Sequence, residues 1–496
     1  MNTLVSTRSG TVRGSEVNGV CVFKGIPFAA PPYEENRFQP PQPPAPWSGV
    51  RDALTYGPKS PQPEYPPEVK LILPELTDSG EDCLTLNIWT QDPGSATRPV
   101  MVWIPGGVYE YHGTSASPWY DGSRFARDGV VCVTISYRVG ADGFLYFDDG
   151  IENLGLLDQV AALEWVQENI AAFGGDPKNV TIFGESAGAM SVATLLAMPS
   201  AEGLFQHAIA QSGGAQHVLS PETGTQIAQH LAEKLGVEAT REAIADVPVD
   251  RVLAAQEELR VDLQSTPDPE RWGGEVVATF MPWQPVVDGD VLPAVPLDCI
   301  EAGASSDIDL LVGTNTDEHR LFLVASGIID QITEEALSGA VAAYGLSVEE
   351  ALSTYRNLYP DAGAGDLLAA IQTDWFWRIP AIRLADAHAK NAQATYMYEF
   401  AWRSPQFNGR IGACHALEIP FVFDTLGNET EALWGPNPPQ SLADTMHAAW
   451  VGFATTGDCG WPLYNFGRRA TMHFDTTSEV VDDPVSNERT LWEGVR

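Results

Sequence analysis

Gly184-Glu185-Ser186-Ala187-Gly188 could do chemistry most directly, because it sets a hydroxyl between glycines at the end of the apolar run Val180-Thr181-Ile182-Phe183. The Ala-rich stretch Ala189 to Ala197 follows, with helical composition. A serine on a sharp strand-to-helix turn takes a strained backbone conformation, and the residues two positions away must lack side chains for the turn to close. Gly184 and Gly188 fill those elbow positions. Such a turn lifts the Ser186 hydroxyl above a sheet edge and aims the first backbone N–H groups of the helix, that of Ala187 foremost, at a developing negative charge. The chemistry would be attack on a carbonyl through a covalent intermediate. The bare five-residue pattern also arises by chance; a strand before it and a helix after it separate this instance from coincidence.

A serine nucleophile needs a base and a group to orient that base. Glu318 follows the apolar run Asp309 to Gly313 and a short turn, where a sheet presents side chains to its carboxyl edge; the plain alternative is a solvated loop carboxylate. The chain holds nine histidines, and a lone histidine is more often structural than catalytic. His415 stands out because Gly412 precedes it and the apolar run Ile419 to Phe423 follows, a fixed loop beside a buried segment. His319, next to Glu318, is its main competitor.

The elements that must position these residues are legible as alternating patterns. Val100 to Ile104, Val130 to Tyr137 and Val180 to Phe183 are compact apolar runs too short for helices, each followed by a turn, which reads as buried parallel strands. Between two of them Leu163, Val166, Ile170 and Phe173 recur at spacings of three and four, and Gly174-Gly175 ends that helix. Strand, helix and strand in that order form a right-handed crossover. His207 to Gln211, Asp309 to Gly313 and Ala394 to Phe400 continue the sheet. Near the start, Asn18-Gly19 between Val17 and Val20 predicts a tight hairpin, and the Pro-rich segment Ala29 to Pro67 an extended loop wrapping the body. Pro221 to Ala302 and Thr333 to Lys390 carry helical spacing and are expected as caps beside the carboxyl edge of the sheet. With no internal repeat or low-complexity linker, residues 1–496 are expected to form one α/β domain, a central, mostly parallel twisted sheet flanked by helices, with helical insertions near 221–302 and 333–390.

Composition excludes several function classes. The 496 residues are 44% hydrophobic and 19% charged, the profile of a globular enzyme. Lys and Arg total 28 against 66 Asp and Glu, and a net charge of −38 repels phosphate backbones and anionic lipid, so neither nucleic acid nor membrane is an expected partner. Residues Met1 to Lys24 lack a basic start followed by an apolar run, which predicts a cytoplasmic location. The six cysteines are scattered without metal-ligand spacing and are expected to be free thiols; no metal or cofactor is implied.

Four segments together resemble the type-B carboxylesterases, the cholinesterase-like family, with the bacterial p-nitrobenzyl-esterase-like branch nearest in length. Glu81-Asp82-Cys83-Leu84-Thr85-Leu86-Asn87 is similar to one family signature, and Phe173-Gly174-Gly175-Asp176-Pro177 through Gly184-Glu185-Ser186-Ala187-Gly188 to another. Gly313-Thr314-Asn315-Thr316-Asp317-Glu318 and Gly412-Ala413-Cys414-His415-Ala416-Leu417-Glu418 are similar to the acid and histidine segments. The layout holds from Val12 to Trp492. The resemblance implies an α/β-hydrolase fold and a triad in the chain order Ser186, Glu318, His415, acting on a small-molecule ester. It also implies an oxyanion hole from the N–H groups of Gly107, Val108 and Ala187, with Glu185 and Ser212 supporting the histidine.

The departures from that pattern narrow the expectation. Pro105-Gly106-Gly107-Val108 stands where the family has His or Tyr before its small residues, and Val108 would crowd the pocket. His319 replaces a glycine. Secreted members bridge the cysteine at Cys83, but Ser60 stands where its partner would lie, so Cys83 is expected to be reduced. Tyr65 to Asp82 contains no Trp, which disfavours choline esters. Tyr109, Tyr111, Phe322, Trp375 and Phe376 are candidates for lining a pocket. The expected activity is hydrolysis of short to medium acyl or aromatic esters, by a monomer or weak homo-oligomer. A lipase-like enzyme for longer acyl chains and a non-catalytic binding protein on the same fold are the alternatives.

Overall fold

The strands form because β-branched and aromatic residues alternate with turn-formers, and the central ones are buried on both faces because helices cover both sides of the sheet. The computed structural model describes residues 3–495 apart from 66, 75–77, 95–96 and 392–393, so those parts of the Ala29–Pro67 and Tyr65–Asp82 readings lie outside the described residues. Among the described residues eleven strands make the main sheet: β1 (Ser15–Val17), β2 (Val20–Pro27), β3 (Thr85–Thr90), β4 (Arg98–Ile104), β5 (Val131–Ile135), β6 (Gly175–Glu185), β7 (His207–Gln211), β8 (Asp309–Asn315), β9 (Thr395–Phe400), β10 (Ala470–Phe474) and β11 (Glu479–Asp482). Their spatial order is β11-β10-β9-β8-β7-β6-β4-β5-β3-β2-β1. Pairing is parallel from β5 through β10 and antiparallel at both margins. This is the α/β-hydrolase fold.

The predicted hairpin is present: β1 and β2 pair antiparallel across Asn18 and Gly19, both at positive φ (50° and 81°), the backbone of a two-residue primed turn. A second small sheet joins Leu4–Ser6, Thr11–Arg13 and Val50–Asp52, so the Pro-rich loop is tied down by a short strand that its composition hid. The crossover helix Leu154–Asn169 and its final turn Ile170–Phe173 bury Leu163, Val166, Ile170 and Phe173 completely, as their spacing predicts. Gly174 ends it at φ 88°. The stretches 221–302 and 333–390 are largely helical, with Pro221–Leu235, Val249–Ser265, Glu334–Ala343, Val348–Leu358, Ala364–Thr373 and Ile379–Ala389 among their helices. None of the six cysteines forms a disulfide, Cys83 included. No helix among the described residues is long and apolar enough to cross a membrane.

Candidate active site

The carboxyl ends of β4, β6 and β8, together with the loop before the helix Ile419–Phe423, converge on one place. At the end of β6, Ser186 has φ 58° and ψ −124°, and the helix Ala187–Leu195 starts at the next residue. A non-glycine residue there carries a strain of about 1–3 kcal/mol that the surroundings must hold. They hold it through the Ser186 N–H, which donates to Gln211 O on the neighbouring strand (2.9 Å), and through Met190 N–H donating back to Ser186 O (2.9 Å). The glycines are required by close approach: a Cβ on Gly184 would stand 2.6 Å from Ile104 O, and one on Gly188 2.0 Å from the same atom.

The loop after β4 lies directly against the serine, since a Cβ on Gly106 would stand 3.1 Å from Ser186 Cβ. Gly107, Val108 and Tyr109 are all at positive φ (110°, 52° and 60°), and the N–H groups of Glu110 and Tyr111 both donate to Gly107 O (3.0 and 2.8 Å). A β-branched residue at positive φ is an outlier, and strain of this kind gathers where a loop serves a site. Pro105 O accepts from Tyr137 Oη at 2.7 Å, which anchors the loop from below.

Glu318 and His415 meet although 97 residues separate them: His415 Nδ1 lies 2.7 Å from Glu318 Oε2. Glu318 is fully buried, and its other oxygen accepts from the Asn315 N–H at 2.7 Å. The second ring nitrogen, Nε2, is 3.1 Å from Glu185 Oε1, an oxygen with no hydrogen-bond partner among the described residues, so the imidazole lies between two carboxylates. A third, Glu418, accepts from Asn315 Nδ2 (2.7 Å) and Gln211 Nε2 (3.0 Å), and Gln211 Oε1 accepts from Trp450 Nε1 (3.0 Å). Burial opposes the charge of His415, but Glu185, Glu318 and Glu418 outweigh it and push the imidazole from 6.5 to about 9. Burial, with Glu418 and Glu318 adding to it against the pull of His415, pushes Glu185 up to about 8.

The remaining expected residues separate. Ser212 is buried at φ 56° beneath this group, but its hydroxyl makes no hydrogen bond among the described residues, and none reaches His415. His319 is wedged between Trp377 (5.2 Å) and Phe322 (5.3 Å), and burial, with the charge of His415 adding, drops it to about 3, leaving a neutral ring. Phe322 and Trp377 themselves pack on His415 at 5.7 and 5.1 Å. Trp377 is not among the aromatics picked from sequence. Trp375 is, yet it stacks on Tyr344 (4.8 Å) at the C-terminal side, and Tyr109 is buried in the core against Phe144 (4.7 Å). Consecutive aromatics Trp375, Phe376 and Trp377 sit on a π-helical turn, Asp374–Arg378, whose extra residue per turn decides which ring faces the histidine. Glu418 is also missing from the sequence-derived site, although its place three residues after His415, in the turn before the helix Ile419–Phe423, was a signal for it.

An elbow serine beside a buried glutamate–histidine pair at the edge of this sheet is compatible with many hydrolases, and the whole chain decides among them: residues 1–490 match the carboxylesterase family. The chain belongs to that family. This carboxylesterase is 40% identical to the para-nitrobenzyl esterase of Bacillus subtilis, over 98% of its own length and 97% of that protein's. It is 34% identical to the phenmedipham hydrolase of Pseudarthrobacter oxydans over 97% of each chain. A solved carboxylesterase of Geobacillus stearothermophilus superposes with a TM-score of 0.86 at 39% identity, covering 99% of this carboxylesterase and 100% of that chain. The chain is a carboxylic ester hydrolase.

Proposed function

We propose that this carboxylesterase hydrolyses short to medium acyl or aromatic esters with Ser186 as nucleophile, His415 as general base and Glu318 as the orienting acid. The observation that carries the reading is the 2.7 Å contact between His415 Nδ1 and Glu318 Oε2 beside a serine held at φ 58°. Ser186 Oγ bonds to the ester carbonyl carbon while its proton passes to His415 Nε2. The carbonyl oxygen, now negative, is met by the N–H groups of Gly107, Val108 and Ala187, with each such donor worth about a hundred- to a thousand-fold in rate. As the tetrahedral adduct collapses, the alkoxide leaves with the proton from Nε2, and the acyl group stays on Ser186. Water, deprotonated by the same nitrogen, then releases the acid and restores the serine. Glu318 keeps Nδ1 protonated and the imidazolium stable throughout. Phe322 and Trp377, flanking His415, supply an apolar wall that favours aromatic groups. Six cysteines outside any disulfide fit a reducing, cytoplasmic setting, and we assign a monomer or weak homo-oligomer.

Covalent labelling with an organophosphate, followed by mass mapping, tests the nucleophile: the adduct is expected on the peptide carrying Ser186 and is absent from Ser186→Ala. A label elsewhere overturns the assignment. A p-nitrophenyl ester series of increasing acyl length is expected to peak at short to medium chains; a peak at long chains would instead favour the lipase-like reading.

A further inference from the structure

We propose that Asp317 is a positioning residue that holds the acid loop and the histidine loop in register; the inference rests on the triad reading above. The two loops run beside each other as an irregular ladder. The Asp317 N–H donates to Ala413 O (3.0 Å), the His415 N–H to Glu318 O (3.2 Å), and Asn315 Nδ2 to Cys414 O (2.7 Å). Among the described residues the Ala413 N–H has no backbone acceptor, and it donates instead to the side chain, Asp317 Oδ2, at 3.0 Å. That carboxylate therefore replaces one missing rung, two residues from His415 and one from Glu318. The fit is close, because Gly412, at φ 67°, would bring a Cβ within 2.4 Å of Asp317 Oδ2.

Two arginines also pair with the carboxylate. Arg403 Nη1 lies 2.5 Å from Oδ2 and Arg320 Nε 3.2 Å from Oδ1. Separately, the Ser404 N–H donates to Gly412 O (3.1 Å), a backbone tie that does not depend on the Arg403 charge. If Asp317 were only an ion-pair partner at the surface, it would contribute about 0–1 kcal/mol to stability and nothing to turnover. A bond to the histidine loop has a different consequence. The distance between Nδ1 and Oε2 depends on the register of the loops, and a misplacement of about 1 Å can cost about a hundred-fold in rate. Removing Asp317 does not strand a buried charge: Arg320 keeps Asp366 at 2.8 Å, and Arg403 is half exposed, at the rim of a cavity of about 370 Å³.

The test is steady-state hydrolysis of p-nitrophenyl acetate by Asp317→Ala, Asp317→Asn, Asp317→Glu and Arg403→Ala, with Glu318→Gln alongside. Asp317→Ala is expected to lose about 10- to 100-fold in kcat with little change in KM. Asp317→Asn, which still accepts from Ala413 N–H, is expected to recover most of the rate, and Arg403→Ala to keep it. Asp317→Glu, which retains the charge but displaces the oxygen, is expected to fold and turn over slowly, and serves if the alanine variant does not fold. Full kcat in the alanine or glutamate variant, equal losses in Asn and Ala, or a loss in Arg403→Ala as large as in Asp317→Ala would each overturn the inference. If Glu318→Gln kept full kcat, the acid assignment would fall and the positioning role with it; a slow Glu318→Gln beside a fast Asp317→Ala would remove the positioning role alone.

Discussion

Glu185→Gln should move the rising limb of the pH–rate profile toward acid. Only neutral imidazole can accept the Ser186 proton, so activity rises as pH passes the pKa of His415. Nearby carboxylates favour the imidazolium and raise that pKa, here from 6.5 to about 9, and the limb of the parent enzyme is therefore expected well above the ordinary histidine range. Glu185 Oε1 is 3.1 Å from Nε2, and a charge this close shifts an imidazole by about 1–3 pH units, or about 1.4–4 kcal/mol. Glutamine keeps the shape and removes the charge, while Glu318 remains bonded at 2.7 Å. The limb should thus fall by about 1 pH unit or more yet stay above the unperturbed value near 6.5. Because Glu185 itself titrates near 8, the parent limb should be broad and the variant limb a single ionisation. The assay is kcat/KM for an activated ester across roughly pH 5 to 10, which brackets the free-enzyme ionisation. A limb that stays in place, or moves toward alkali, would refute the account of what charges the histidine.

Two further outcomes follow from the turns around the serine. Val108→Gly should speed hydrolysis of esters of bulky tertiary alcohols by about 10-fold, because it clears the pocket and relieves a valine held at φ 52°; equal rates for both proteins on such an ester would count against crowding there. Gly188→Ala should destabilise the enzyme by about 3 kcal/mol, since the new methyl would meet Ile104 O at 2.0 Å, and a urea unfolding curve superimposing on the parent's would contradict that packing.

The local order of the chain was legible without coordinates wherever a short-range rule applies. Asn18-Gly19 makes a hairpin because both residues tolerate positive φ, and Leu163, Val166, Ile170 and Phe173 face inward because helix periodicity puts them on one side. Strands lacking a clear run, such as Ala470–Phe474 and Glu479–Asp482, went unseen, because they mix polar and apolar residues, the first beside the margin of the sheet and the second at its exposed edge. Gly184, Ser186 and Gly188 announce an elbow because its close packing admits few alternatives. Contacts between distant segments are another matter. That Glu318 meets His415, that Glu418 and Glu185 share the same imidazole, and that Trp377 rather than Trp375 lies against it depend on how separate strands and a π-helical turn are set side by side. Sequence alone determined which groups the chain has for ester chemistry and which turns could carry them. The tertiary structure decided their distances and therefore their charges, because electrostatic coupling depends on separation in space and on exclusion of water, and neither is encoded in the spacing of residues along the chain.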